Sequence, residues 1–158
     1  MAINLLYITN NITVARAADD AGVDEIFIDL EIYGKKDRQS GRNTVISNHE
    51  IEDIPRIKSV VSSASILVRS NPVGDWTVEE IDRIISAGAD TVMLPFFRSK
   101  KEVEHFMDCV AGRARTCLLV ETIETLENLD LILSVEGVDR IHIGLNDLHI
   151  AYKSTFMF

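Results

Sequence analysis

A four-residue joint recurs three times along the chain, as Ala21-Gly22-Val23-Asp24, Ala87-Gly88-Ala89-Asp90 and Glu136-Gly137-Val138-Asp139. Each copy follows a stretch with apolar residues at helical spacing and precedes a short run rich in β-branched and aliphatic residues. Glycine just past a helix takes up the left-handed backbone that ends it, and the chain then enters the next strand within a few residues. A chain built on this joint alternates helix and strand. Periodicity predicts strands at 3–9, 25–31, 65–71, 91–97, 116–122 and 140–145, and helices at about 13–21, 50–62, 78–87, 100–110 and 125–135. Ser47-x-x-Glu50, Thr77-x-x-Glu80 and Ser99-x-x-Glu102 match the capping box, in which two side chains satisfy each other's orphan N–H groups at a helix start.

Nearly continuous apolar strands such as Val92-Met93-Leu94 and Leu118-Leu119-Val120 are those of a parallel sheet covered on both faces, and parallel neighbours need crossovers like these helices. The fold class is therefore α/β, with an open doubly wound sheet and a closed barrel as the two arrangements. No Gly-x-Gly-x-x-Gly or Walker loop follows any strand, which removes the usual evidence for a nucleotide-binding open sheet. With 158 residues, 46% of them hydrophobic, the apolar material suffices for one packed domain spanning 1–158.

A net charge of −9 repels phosphate backbones, so nucleic acid is excluded as a partner. Arg98 and Lys100-Lys101, interrupted by Ser99 and followed by Glu102 and Glu104, read as a solvated helix start. The N-terminus MAINLLYITNN has no basic region and turns polar after Tyr7, unlike a signal peptide or a membrane span. Cys109 and Cys117 share no metal-ligand spacing and read as buried thiols in a reducing compartment, so a cytoplasmic location is expected.

Charges collect at the carboxyl ends of otherwise apolar strands. By period two, Phe27, Asp29 and Glu31 share one face, as do Leu67 and Arg69, then Leu119 and Glu121, then Ile143, Leu145 and, just past the strand, Asp147. If the apolar members fill a barrel interior, the charges gather at one mouth, the face on which barrel enzymes build their sites. Strand ends also carry such residues as turn formers and caps. Arg69 is the exception to that simpler reading, because a guanidinium at the inner end of an apolar strand must be paired or must bind an anion. Asp29 or Glu31 would be its structural partner.

The strings ILVRSNP, AGADTVMLP, LLVETIETLENLDLILSVEGVDRIHIG and GLNDLHIA resemble successive segments of the HpcH/HpaI aldolase and citrate lyase superfamily. That resemblance implies a parallel (β/α) TIM-type barrel, here incomplete, with about six of eight units. It implies a carbon–carbon lyase or aldolase acting through an enolate of a pyruvate-like 2-oxo acid or an acyl-CoA thioester. By position in the motifs, Glu121 and Asp147 match the carboxylates that hold a divalent metal ion, Mg²⁺ first and Mn²⁺ or Co²⁺ as alternatives, and two carboxylates with water and substrate oxygens suit a hard octahedral cation. Arg69 matches the arginine on the ketone or enolate oxygen, and backbone N–H groups around Asn146 and Asp147 would receive the substrate carboxylate. Glu31 belongs to the substrate-facing strand-two motif.

Two departures narrow the resemblance. In the aldolase branch a histidine follows the strand-two glutamate and moves protons, whereas Ile32 stands here; Leu119 occupies a position often held by glutamine. His149, two residues past Asp147, is the candidate replacement base. His142 is expected to pack against a helix, and His49 and His105 read as structural. Six units leave the first and sixth strands with open edges, so the expectation is a fragment of a longer barrel or a homo-oligomer whose copies cover those edges. An inactive barrel serving as an assembly or binding module is the competing function.

Overall fold

The computed structural model describes residues 3–33 and 47–153. Among them β1 (Leu6–Ile8), β2 (Glu25–Asp29), β3 (Ser65–Arg69), β4 (Thr91–Leu94), β5 (Arg115–Val120) and β6 (Arg140–Ile143) form one parallel sheet in chain order. The crossovers carry α1 (Ile12–Asp20), α2 (Asp53–Lys58), α3 (Thr77–Ala87), α4 (Lys100–Val110), α5 (Ile123–Glu127) and α6 (Leu129–Leu133), and α7 (Leu145–Ala151) follows the last strand. The sheet curls. Arg140 Nη2 on β6 donates to Glu25 Oε2 on β2 at 2.6 Å, a contact made across the concave face with three strands between the partners. The architecture is thus an incomplete α/β barrel.

Alternation along the strands builds two layers. Outward residues Ile26, Ile28, Val68, Val92, Leu94, Leu118 and Val120 pack against Ile54, Ile57, Ile81, Ile84, Val103 and Phe106 of the helices. Inward residues Leu67, Met93, Cys117 and Leu119 make a second cluster with Leu6 and Phe27. Below this inner cluster lies Glu25, buried beside Arg140, Arg115 and Ser65. Burial pushes the Cys117 thiol up to about 11, which leaves it an unreactive packing group. Cys109, expected to be buried, is half-exposed on α4.

The repeated joint does more than end helices. Gly22, Gly88 and Gly137 all have φ between +86° and +108°, the left-handed backbone their position requires. The aspartate that follows each one reaches sideways: Asp24 Oδ2 accepts the Leu5 N–H at 2.7 Å, Asp90 Oδ2 the Ile66 N–H at 2.8 Å, and Asp139 Oδ2 the Thr116 N–H at 2.7 Å. Each carboxylate therefore ties the entry of its own strand to the entry of the strand before it. Asp19 plays a related part at the end of α1, accepting the N–H groups of Ser62, Ser63 and Ala64 at 2.6–3.0 Å.

Several sequence expectations change. The 125–135 helix breaks at Asn128 into α5 and α6, and the 50–62 helix contracts to Asp53–Lys58. Only the Ser99/Glu102 capping box forms. Glu80 is instead drawn to Asn71, whose Nδ2 donates to it at 2.6 Å, and Asp53 accepts the Glu50 N–H at 2.9 Å. On β6 the faces are exchanged: Cys117 pairs with Arg140 and Leu119 with His142, so Arg140 and His142 point inward and Ile141 and Ile143 outward. The 140–145 strand also stops at Ile143, and Leu145 begins α7.

The Asp19 carboxyl is held at about 2, below its ordinary 3.8, chiefly by the Ser62 and Ala64 N–H groups. A depressed folded-state pKa gives stability that is complete above the unfolded value and lost as pH falls through the folded one. Asp19→Asn should lower the urea midpoint at pH 7, and the gap to the native chain should close between about pH 4 and pH 2. A constant gap across that range would rule out this role.

Candidate active site

The mouth at the carboxyl ends of the strands is where the charges meet. Arg69 Nε and Nη2 donate to Asp29 Oδ1 and Oδ2, both at 2.8 Å, in a bidentate fork, and Glu31 Oε2 lies 3.5 Å from the same Nη2. The Asp29 side chain is fully buried and the Arg69 side chain 15% exposed. Burial alone would weaken the cation; the bond to Asp29, backed by Glu31 and Glu121, outweighs it and raises the Arg69 pKa. The Arg69 guanidinium also rests over the Phe27 ring, 5.5 Å from its centroid. His49 Nδ1 accepts the Asp29 N–H at 2.9 Å, which gives that histidine a positioning part at the end of β2. Arg69 is thus both paired and, through Nη1, left with donors that have no partner among the described residues.

Glu121 stands one residue past β5, 3% exposed. Its Oε1 accepts the N–H of Phe96 at 2.9 Å, and Phe96 presents that N–H from a left-handed backbone with φ +47°. Such a φ is costly for a bulky side chain and is kept where surrounding structure enforces it. Asp147, in the first turn of α7, lines the same cavity as Glu121, and its carboxylate acts on the Glu121 carboxyl. Burial first, then the Glu31 and Asp147 carboxylates, push the Glu121 pKa up to about 8, with Arg69 opposing. Gly144 makes the approach possible: a Cβ there would stand 2.7 Å from Glu121 Cβ and 3.3 Å from Leu119 Cδ1.

Two carboxyls on one cavity, one with its pKa raised by burial and by neighbouring negative charge, fit a hard divalent cation, which would relieve that crowding. Among the described residues no group of three or more His, Cys, Asp or Glu side chains could hold an ion, so Glu121 and Asp147 would leave the remaining positions to water and substrate. A cavity of about 320 Å³ opens beside them, lined by Phe96, Arg98, Glu121, Glu124, Asp147 and Ile150 among others.

The structure thus brings Arg69, Glu31, Glu121 and Asp147 to one mouth. Asn146 is exposed in the first turn of α7, which no side chain caps. His149 does not line the cavity: two positions along a helix from Asp147 it faces roughly 200° away, and its Nδ1 is buried without a partner among the described residues. His142, set aside from sequence, lies instead on the concave side, where burial and the Arg69 and Arg140 cations lower its pKa. Its signal was the polar alternation of Arg140 and His142 with Ile141 and Ile143. Ile32 is 58% exposed and Leu119 is packed inside. Arg98, read as part of a solvated helix start, borders the cavity.

A family model for HpcH/HpaI aldolase/citrate lyase matches residues 4–155. No curated protein matches the sequence. Among solved structures, citrate synthase SbnG superposes with a TM-score of 0.70 at 17% identity, covering 95% of this chain and 63% of its own. An HpcH/HpaI aldolase from Desulfitobacterium hafniense DCB-2 gives 0.69 at 18% identity, covering 95% and 65%. An HpcH/HpaI aldolase/citrate lyase family protein from Burkholderia cenocepacia J2315 gives 0.73 at 16%, covering 94% and 66%. At these identities the likeness is one of fold, and the chain spans less than two thirds of each of these relatives.

Removing Arg69 would take the bidentate fork away from the buried Asp29 carboxylate. Arg69→Ala should destabilise the chain by about 3–5 kcal/mol in denaturant titration, and adding Asp29→Asn should restore much of the loss. Additive losses would show that the pair is not coupled.

Proposed function

Because the chain belongs to the HpcH/HpaI aldolase/citrate lyase family, we propose that its strand-end mouth performs the enolate chemistry of a metal-dependent carbon–carbon lyase on a 2-oxo acid or an acyl-CoA thioester. The observation that carries this reading is the Glu121 and Asp147 pair, two carboxyls lining one cavity with the Glu121 pKa raised to about 8, within the field of Arg69.

Glu121 and Asp147 would hold the cation, Mg²⁺ foremost. When bound, the cation supplies positive charge next to the oxygen that turns negative as the adjacent carbon loses a proton or a carbon substituent. Arg69 acts on that same oxygen through Nη1, while its fork to Asp29 keeps the guanidinium from rotating away. The first-turn N–H groups of α7 at Asn146 and Asp147 receive the substrate carboxylate. Leu119, Met93 and Leu67 close the floor and exclude water from below. For the proton on carbon, His142 on the concave side replaces His149 as the candidate, and His142→Ala should slow the exchange.

Pyruvate in D₂O with Mg²⁺ or Mn²⁺ should lose methyl proton intensity by NMR, and Glu121→Ala or Asp147→Ala should cut that rate by at least about a hundredfold. Metal-independent exchange would overturn the reading. The pH dependence follows from Glu121: its proton must leave before a cation binds, so Mn²⁺ affinity should rise with pH up to about 8 and then level. Calorimetry in buffers of different ionisation enthalpy would count the released proton. The competing reading, an inert assembly module, draws on the exposed apolar side chains of the outer strands, Tyr7, Ile8, Ile141 and Ile143, and requires no Mn²⁺ site sensitive to Asp147→Ala.

A further inference from the structure

We infer that Arg98 is the specificity residue of this cavity and recognises a second, remote carboxylate on the substrate. The inference rests on reading Glu121 and Asp147 as the end that holds the metal and the 2-oxo acid. Measured from that end, the cavity of about 320 Å³ is of the size of a small-molecule site and larger than a three-carbon acid needs. Among the described residues lining it, Arg98 is the one cation, against Glu121, Glu124 and Asp147. A substrate that extends beyond its 2-oxo acid therefore meets a wall whose attraction for anions comes from Arg98.

Two contacts aim and release the guanidinium. Its Cζ lies 4.8 Å from the centroid of the Phe96 ring, so the flat cation is laid on an aromatic face. Phe96 is also the residue whose N–H holds Glu121, so one left-handed backbone position sets both the metal end and the cationic end of the cavity. The remaining partner of Arg98 is Glu124, with Nε to Oε1 at 3.7 Å and both side chains more than half exposed. An ion pair so long and so wet is weak, and Arg98 can exchange it for a substrate carboxylate at little cost. A planar guanidinium offers that carboxylate two parallel donors, which an ammonium would not. Glu124 then acts as a competing anion that keeps the guanidinium in place until the substrate arrives.

The test compares 2-oxoglutarate with 2-oxopentanoate, acids of equal chain length that differ in the distal carboxylate. Each is titrated calorimetrically into the full chain at fixed Mn²⁺. The native protein should bind 2-oxoglutarate more tightly, on the order of tenfold, and Arg98→Ala should abolish the preference while leaving 2-oxopentanoate unchanged. Arg98→Lys should recover part of it. Glu124→Gln should strengthen 2-oxoglutarate binding, a gain that a merely structural ion pair would not give. If 2-oxopentanoate binds but the preference is absent, or persists in Arg98→Ala, the role of Arg98 is overturned and the enolate reading stands. If neither acid binds in the presence of Mn²⁺, the reading of the whole site falls, and Arg98 with it.

Discussion

The arrangement of this molecule depends on a carboxylate that precedes a strand and accepts the first N–H of the strand beside it. Asp24, Asp90 and Asp139 do this for alternate pairs, β1 with β2, β3 with β4 and β5 with β6. In a sheet whose side chains alternate with period two, a slip of one residue exchanges every inward group for an outward one. Anchoring the entries therefore decides which charges reach the concave mouth. Asp29 and Arg69 meet there as register partners on β2 and β3, and the register carried through β4 brings the end of β5, with Glu121, to the same mouth.

Asp29, Glu31 and Glu121 all act on the Arg69 guanidinium, and Asp29 holds it in the bidentate fork. Burial, then the Glu31 and Asp147 carboxylates, raise the Glu121 pKa to about 8 with Arg69 opposing. Local stability and chemistry pull in opposite directions here: Arg69 with Asp29 is a close bidentate pair, while Glu121 is a buried carboxyl that ionises only above its ordinary range. Sites of this kind trade stability for readiness.

Much of this was legible in the sequence, and the failures have physical reasons. The joint and the strand patterns identified the parallel sheet, and Phe27, Asp29 and Glu31 declared their face because Ile26 and Ile28 alternate with them. On β6 the same rule misled, since apolar residues were taken to fill the interior, whereas the inward positions Arg140 and His142 answer charges on distant strands, Glu25 and Arg69. The Thr77-x-x-Glu80 pattern was right in letters and wrong in outcome, because Asn71 competes for the Glu80 carboxylate. α7 left no capping signature, and its start depends on a close approach at Gly144 that spacing cannot reveal. Arg98 looked like one more solvated charge because the carboxylates that share its cavity, Glu121, Glu124 and Asp147, are 23 and more positions away.

The bond between Arg140 and Glu25 has a consequence for the order in which the molecule assembles. It joins residues 115 positions apart, so the loop it closes is nearly the whole described chain. Until residue 140 has left the ribosome, Glu25 lacks its 2.6 Å partner from β6, and the longer contact from Arg115 on β5, at 3.8 Å, is the cation left to it. The concave shape of the mouth is therefore a late event in the life of each chain: strands pair locally as they emerge, but the hollow that brings Arg69 toward Glu121 takes its final form when the sixth strand arrives and reaches back to the second.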